Sequence, residues 1–179
     1  MTLASATLDG DDPVRDMARL EEIADLDLFS PEVQAKLDRF AQLAAARFGL
    51  PIGLISIVLD EAQYLAGKTG VGGWIEEAEG TPVEWSFCAN AVRTREQYVI
   101  EDAEHDERQS SNPLVTEDGI RSYAGTPLTT CNGHVIGSYC VIGTTPRDFS
   151  ADELEELRQM SVDVMTEIES HRISDRAAA

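Results

Sequence analysis

Three residue classes are scarce in this 179-residue chain, and each scarcity removes a class of function. Basic side chains come first, with 14 Lys and Arg against 33 Asp and Glu for a formal charge of -19. A field of that sign repels phosphate backbones and anionic headgroups, so neither nucleic acid nor a membrane surface is an expected partner. Cysteine is next. Cys88, Cys131 and Cys140 form an odd set with no Cys-x-x-Cys pair, the pattern of reduced thiols rather than of a disulfide framework. Histidine is third: His105, His134 and His171 stand too far apart to show ligand spacing, and no metal is expected. Long apolar runs are also missing. The richest, Leu50–Leu59, covers ten residues, about half of the ~20 that a membrane-spanning helix needs. The opening Met1-Thr2-Leu3-Ala4-Ser5 lacks the basic start and apolar stretch of a secretion signal, so the cytoplasm is the expected location.

What is present suffices for a core. Hydrophobic residues make up 42% of the chain and charged ones 26%, and a chain of this size buries about 68–70% of its unfolded surface. One domain is expected. The first dozen residues are small and acidic without periodicity, and they read, with the tail over 173–179, as mobile ends. Asp12-Pro13 reads as the cap and first position of a helix striped by Met17, Leu20, Ile23 and Ala24, an element over 13–29 available for dimer contacts. Ser30-Pro31 repeats the signal ahead of Val33, Leu37, Phe40 and Phe48, and Gly49 stops that helix.

Strands follow. The run Ile52–Leu59 is short and β-branched, as a buried central strand is, and Gln63–Lys68 returns antiparallel to it. From Gly70 to Gly80 the composition predicts a long acidic loop. Ser86 can cap a short helix over Cys88–Arg93 before a strand at Gln97–Ile100, and the stretch from Asp102 to Asp118 is a polar excursion. Asn132-Gly133 predicts a type I′ turn between strands at 121–128 and 134–143. Ser150 and Glu153 then open a final helix striped by Leu154, Leu157, Ser161, Val164, Ile168 and His171. The order predicts an α+β fold on an antiparallel sheet.

Several fragments carry a family resemblance: Ser86-Phe87-Cys88-Ala89-Asn90-Ala91-Val92, Val99-Ile100-Glu101-Asp102-Ala103, Asn112-Pro113-Leu114-Val115, Ile120-Arg121-Ser122-Tyr123-Ala124-Gly125-Thr126-Pro127-Leu128 and Gly133–Ile142. In order and spacing they resemble the GAF sensory domain over roughly residues 30 to 172. The resemblance implies a central antiparallel sheet of five to six strands, terminal helices packed on one face, and a small-molecule pocket on the other, under the excursion. It also implies dimerisation through the terminal helices. Departures narrow the ligand. Tetrapyrrole-binding members need a Cys-His pair near Arg121-Ser122-Tyr123; none stands there, and no bilin is expected. Free methionine sulfoxide reductases of this fold place a reactive cysteine in the excursion, which here has none, although Cys88 lies near another of their thiols.

The ligand-binding candidates are Phe87, Cys88, Asp102, Arg108, Asn112, Arg121, Tyr123 and Tyr139. Arg108 and Arg121 could fork a carboxylate or phosphate, with an internal ion pair as the alternative. Asp102 and Asn112 offer polar groups but also suit caps and turns. Phe87, Tyr123 and Tyr139 supply rings, and a buried phenol needs a partner for its hydroxyl. Trp74 and Trp85, flanking the acidic loop, read as a lid or as packing beneath it. Cys140 reads as core and Cys131 as exposed. The expected function is a non-catalytic small-molecule sensor acting through dimerisation or a separate signalling protein. The alternative is a thiol-dependent reductase of a small oxidised substrate using Cys88, which needs a second thiol or base nearby.

Overall fold

Cap chemistry sets the helix boundaries over residues 12–173, which the computed structural model describes. The ends expected to be mobile lie, but for Asp12 and Ile173, outside the described residues. Asp12-Pro13 opens only a 3-10 turn over Pro13–Arg15, because Asp16 then takes the capping role and accepts the amides of Ala18 and Arg19 at the start of α1 (Met17–Ala24). Ser30 accepts the Val33 amide to open α2 (Pro31–Phe48), and Gly49, at φ 62, closes it.

Six antiparallel strands form one sheet. They are β1 (Ile52–Val58), β2 (Ala62–Thr69), β3 (Gly80–Pro82), β4 (Tyr98–Ile100), β5 (Ser122–Thr129) and β6 (Val135–Gly143), in the order β3-β2-β1-β6-β5-β4. The stretch expected as a loop over 70–80 is shorter than that: it holds α3 (Gly73–Ala78) and the edge strand β3, which pairs with β2 from Ala62 to Tyr64. Short helices α4 (Cys88–Thr94) and α5 (Pro113–Thr116) follow, the second being the regular structure inside the polar excursion. Ser150 and Glu153 complete a reciprocal capping box ahead of α6 (Ala151–Glu169).

The hairpin between β5 and β6 forms with a different turn. Gly133 donates to Thr130 O at 2.9 Å and carries φ 87, whereas neither Cys131 nor Asn132 has a positive φ. Type I′ needs both central residues left-handed; one left-handed glycine after an ordinary turn makes the bulged three-residue loop instead.

Each sheet face buries its own layer. Ile55, Ile57, Ala124, Leu128, Tyr139 and Val141 pack under α2 and α6, while Leu54, Val58, Leu65, Tyr123, Cys140 and Ile142 pack under α4 and the excursion. On the helix side α2 sits with its backbone against the strands. A Cβ on Gly53 would stand 2.1 Å from the Ala41 carbonyl oxygen, and one on Gly67 would stand 2.6 Å from that of Leu37.

The N-terminal segment crosses the end of the sheet, with Val14 in the α4 layer and Ile23, Leu26 and Leu28 in the α2 layer. At the crossing Arg19, 3% exposed, donates to the carbonyls of Pro13, Val14 and Val58, the last at 2.7 Å. One turn later Glu22, also buried, accepts from Arg172 at 2.6 Å, Asn132 at 2.8 Å, Thr130 at 2.9 Å and the His134 ring. The segment after α1 is thereby joined to the segment after α6: Leu26 bridges Arg172, and the Ile173 amide donates to Asp25 O at 2.8 Å.

Two stability consequences follow from these contacts. Gly53→Ala is expected to lower the unfolding free energy by about 2–3 kcal/mol, the upper part of the overpacking range, because backbone cannot swing aside. An unchanged urea midpoint would refute the close approach of α2. For Glu22, burial raises the carboxyl, but the hydrogen bonds from Arg172, His134, Thr130 and Asn132 outweigh it and bring it from 4.5 to about 2. A folded carboxyl lowered in this way stabilises above its unfolded value, an effect of about 3 kcal/mol near pH 7. Glu22→Gln should therefore be less stable than the parent by about that amount at neutral pH, and urea titrations should show the gap closing as pH falls from 4.5 towards 2.

Candidate functional site

The sheet face opposite α2 and α6 is filled at one end and hollow at the other. Under the first part of the excursion, within the region where the pocket was expected, side chains occupy the space. The Tyr123 ring meets those of Phe87 at 5.3 Å and Tyr98 at 5.9 Å, with Ile100 and Ala103 fully buried beside them. Gln109, buried, donates to the Tyr98 hydroxyl at 2.8 Å and fixes the excursion over this cluster.

The hollow lies over β1, β2 and β6. It measures 280 Å³ and is walled by Ile52, Leu54, Gln63, Leu65, Ile142 and Thr144, with Thr81 of β3 at its edge. Gly70, Val71, Gly72 and Ile75 close one side, and Leu114, Asp118 and Ile120, at the C-terminal end of the excursion, roof the other. Most of that lining is apolar with a few placed polar groups, the composition of a small-molecule site. A wider groove of 730 Å³ beside α6 is lined instead by threonines and by charged Arg95, Glu96, Arg158 and Glu169, and lacks that character.

One amide organises the cavity wall. Gln63 is 5% exposed; its Oε1 accepts from Ser56 Oγ at 2.8 Å and Ser86 Oγ at 2.6 Å, and its Nε2 donates to Thr81 Oγ1 at 2.9 Å. Ser86 Oγ in turn accepts the Ala89 amide at 3.1 Å, so α4 starts from the same network. At the mouth Trp74 Nε1 donates to Asp118 Oδ1 at 3.0 Å, and the Trp74 and Trp85 rings meet edge to face at 5.8 Å. Trp74 thus spans from α3 to the excursion and rests on Trp85.

None of the eight sequence candidates lines this cavity. Asp102 pairs with Arg121 at 2.9 Å and with the His105 ring at 2.8 Å, and those bonds, His105 first, hold its carboxyl below the ordinary value. Arg121 also reaches Glu104 at 2.8 Å. Arg108 pairs with Asp106 at 2.6 Å and lies 5.2 Å over the Tyr98 ring. Both guanidinium groups are therefore taken by internal ion pairs. Asn112 caps α5 through the Leu114 amide and donates to Trp85 O at 3.0 Å.

Tyr139 faces the helices, where its hydroxyl donates to Phe40 O at 2.6 Å; the phenol needs no ligand. Ser122, next to Tyr123 on β5, turns to that same face: a Cβ on Gly143 would meet its hydroxyl at 2.3 Å, with Leu50 at 3.0 Å.

Phe87, Cys88 and Tyr123 do come together. The Tyr123 hydroxyl donates to Cys88 Sγ at 3.2 Å, and Cys140 Sγ stands 3.8 Å from Cys88 Sγ. The second thiol that sequence reading could not find is thus Cys140. Burial pushes the Tyr123 phenol and the Cys140 thiol well up, while the hydrogen bond from Cys140, with others from Tyr123, Ser56 and Ser138, brings Cys88 down. Asp102, Glu104 and His105 form the one cluster of possible metal ligands among the described residues, and Arg121 already occupies its carboxylates. No helix among the described residues is long and apolar enough to cross a membrane.

Comparison with known proteins agrees with this architecture. Over 136 residues the chain is 33% identical to a cyclic di-GMP phosphodiesterase of Pseudomonas aeruginosa, a match covering 75% of this chain and 22% of that protein. The chain therefore spans less than a quarter of that relative's length. Among solved structures, the GAF domain of a phosphoenolpyruvate-protein phosphotransferase from Acinetobacter matches with a TM-score of 0.64 at 19% identity, over 89% of this chain and 92% of the other. A free methionine-R-sulfoxide reductase from Neisseria meningitidis, solved with its substrate, matches with a TM-score of 0.63 at 16% identity, over 100% of this chain and 98% of the other. At these identities the structural likeness is one of fold. The GAF domain family model matches residues 32–168, which carry the six-stranded sheet and both flanking helices, and the chain belongs to the GAF domain family.

Proposed function

We propose that this chain is a sensory module whose 280 Å³ cavity over β1, β2 and β6 takes a small molecule. That volume sits at the small end of ligand pockets. No Lys or Arg is among its lining residues, and Asp118 stands at its mouth. A neutral or cationic molecule with an apolar body suits such a wall. A cyclic dinucleotide, the class named for the Pseudomonas relative, has two phosphates that call for cationic partners this cavity lacks.

Access and output have supports of their own. Helix α3 has no fully buried residue, so opening it breaks mainly the Trp74–Asp118 bond, the Trp74–Trp85 contact and the packing of Ile75. On the opposite face the α2 backbone rests on Gly53 and Gly67, so a ligand that shifts β1 or β2 shifts α2 with no compliant side chain between. Leu43 on α2 and Val162 on α6 are 54% and 62% exposed, and they are the apolar contacts we propose for a second copy or a separate signalling protein. Any such switch is limited to the difference in ligand affinity between the two helix arrangements.

The thiol-reductase alternative gains one observation, the 3.8 Å approach of Cys140 to Cys88. Against it, both thiols are buried and neither lines the cavity.

Two measurements decide between these readings. A thermal-shift screen of neutral and cationic metabolites should find at least one stabilising compound, since binding at 100 times Kd adds about 2.7 kcal/mol. Trp74, hydrogen-bonded to the lining residue Asp118, meets Trp85, the other of the chain's 2 tryptophans, so the same compound should change intrinsic fluorescence. Val71→Phe, which narrows the cavity from a loop, should abolish both signals while leaving circular dichroism intact; responses that survive it would place the ligand elsewhere. In the second assay, turnover of free methionine sulfoxide with a dithiol reductant should be the same background rate for the parent and for Cys88→Ser. A rate lost on that substitution would establish the enzyme.

A further inference from the structure

The two buried thiols lie outside the ligand cavity. Cys88 is the first residue of α4, and Cys140 lies in β6, across from Leu54 of the cavity wall. Their sulfurs are 3.8 Å apart, a van der Waals contact, and both residues are almost wholly buried. A disulfide joins sulfurs at about 2.05 Å with Cβ atoms about 3.5–4.5 Å apart, so closure calls for a local adjustment of two side chains already in contact. The surroundings are polar for a core: the Tyr123 hydroxyl donates to Cys88 Sγ and lies 3.2 Å from Ser138 Oγ. A pair kept only for volume needs no such donors.

We propose that Cys88 and Cys140 are a reversible oxidation site, closed to an internal disulfide by a small hydroperoxide. In this reaction the Cys88 thiolate attacks the peroxide O–O bond. That bond breaks, the alkoxide leaves and takes a proton as the alcohol, and Cys88 becomes a sulfenic acid. Cys140 sulfur then attacks Cys88 sulfur; the S–S bond forms and hydroxide departs with the Cys140 proton as water. Two thiols and one hydroperoxide give one disulfide, one alcohol and one water. The roles follow from the environments, since the thiolate is the attacking species and the Tyr123 hydroxyl donates to Cys88 Sγ at 3.2 Å.

The test uses the full chain carrying Cys131→Ser, which removes the exposed thiol. After hydrogen peroxide, non-reducing intact mass spectrometry should show a monomer lighter by two hydrogens, with the Cys88 and Cys140 peptides linked. Titratable thiols in the denatured protein should fall from two to none and return with dithiothreitol. Adding Cys140→Ser should leave a sulfenic acid on Cys88 that dimedone traps; adding Cys88→Ser instead should leave the protein unmodified. Circular dichroism before and after treatment confirms that the folded chain reacted. A fully reduced mass at peroxide levels that oxidise free glutathione, or oxidation that appears only once the fold is lost, would overturn the proposal.

Discussion

The hydrogen-bonded amide of Gln63 is the constraint on which the site depends. A buried primary amide is costly unless its donors and acceptor find partners. Here they come from three directions: Ser56 on β1, Thr81 on β3 and Ser86 ahead of α4. Satisfying one side chain therefore fixes the edge strand, the centre of the sheet and the start of the helix that carries Cys88. It also keeps the cavity from closing, because a polar wall held by its own bonds gains nothing by collapsing onto Leu65 and Ile142. An apolar residue at position 63 would take a hydrogen-bond partner from Ser56, Ser86 and Thr81 at once. The edge strand β3, three residues long, has little else to hold it.

The far end of the sheet is governed by a second pair of buried polar groups. Arg19 satisfies backbone carbonyls that the strand ends leave open, including Val58 O at the end of β1. Glu22 gathers donors from the β5–β6 hairpin and from Arg172 just past α6. A buried ion pair of this kind is weak evidence for net stability, but removing one partner leaves a buried charge uncompensated. Its consequence is positional. The segment around α1, the end of α6 and the hairpin are tied together by these bonds. The cavity lies on the opposite face of the same strands, and α2 contacts them through glycines.

Local signals were legible and tertiary ones were not. Ser30-Pro31 and the Ser150 to Glu153 box encode helix starts in a few neighbouring residues, and both form as read. The long strands announced themselves by composition. β3 did not, because Gly80-Thr81-Pro82 follows an acidic run and has no alternation; its pairing depends on Gln63 across the strand. Asp12-Pro13 was a start signal overruled by Asp16, four residues on, whose side chain reaches two amides. Asn132-Gly133 placed the hairpin correctly and its geometry incorrectly, since only the glycine is left-handed.

The sequence candidates lie outside the cavity for two separable physical reasons. In so acidic a chain a guanidinium has a carboxylate close at hand, so Arg108 and Arg121 were always more available to Asp106 and Asp102 than to a ligand. The tyrosines were a matter of parity. Adjacent residues on a strand face opposite sides, and the β5–β6 register sets Tyr123 against Ile142 and Thr126 against Tyr139. Counted back from the hairpin, that register puts Tyr123 with Cys140 and Ile142, and Tyr139 with Val141 under the helices. The large ring of Tyr123 then fills the half of the face beneath the excursion, where Phe87 and Tyr98 meet it. Along β1 and β2 the facing residues are Leu54, Gln63 and Leu65, and the segment above them carries Gly70, Val71 and Gly72. Side chains of that size cannot span the gap, and the hollow lies where aromatic bulk is absent rather than where polar residues are dense.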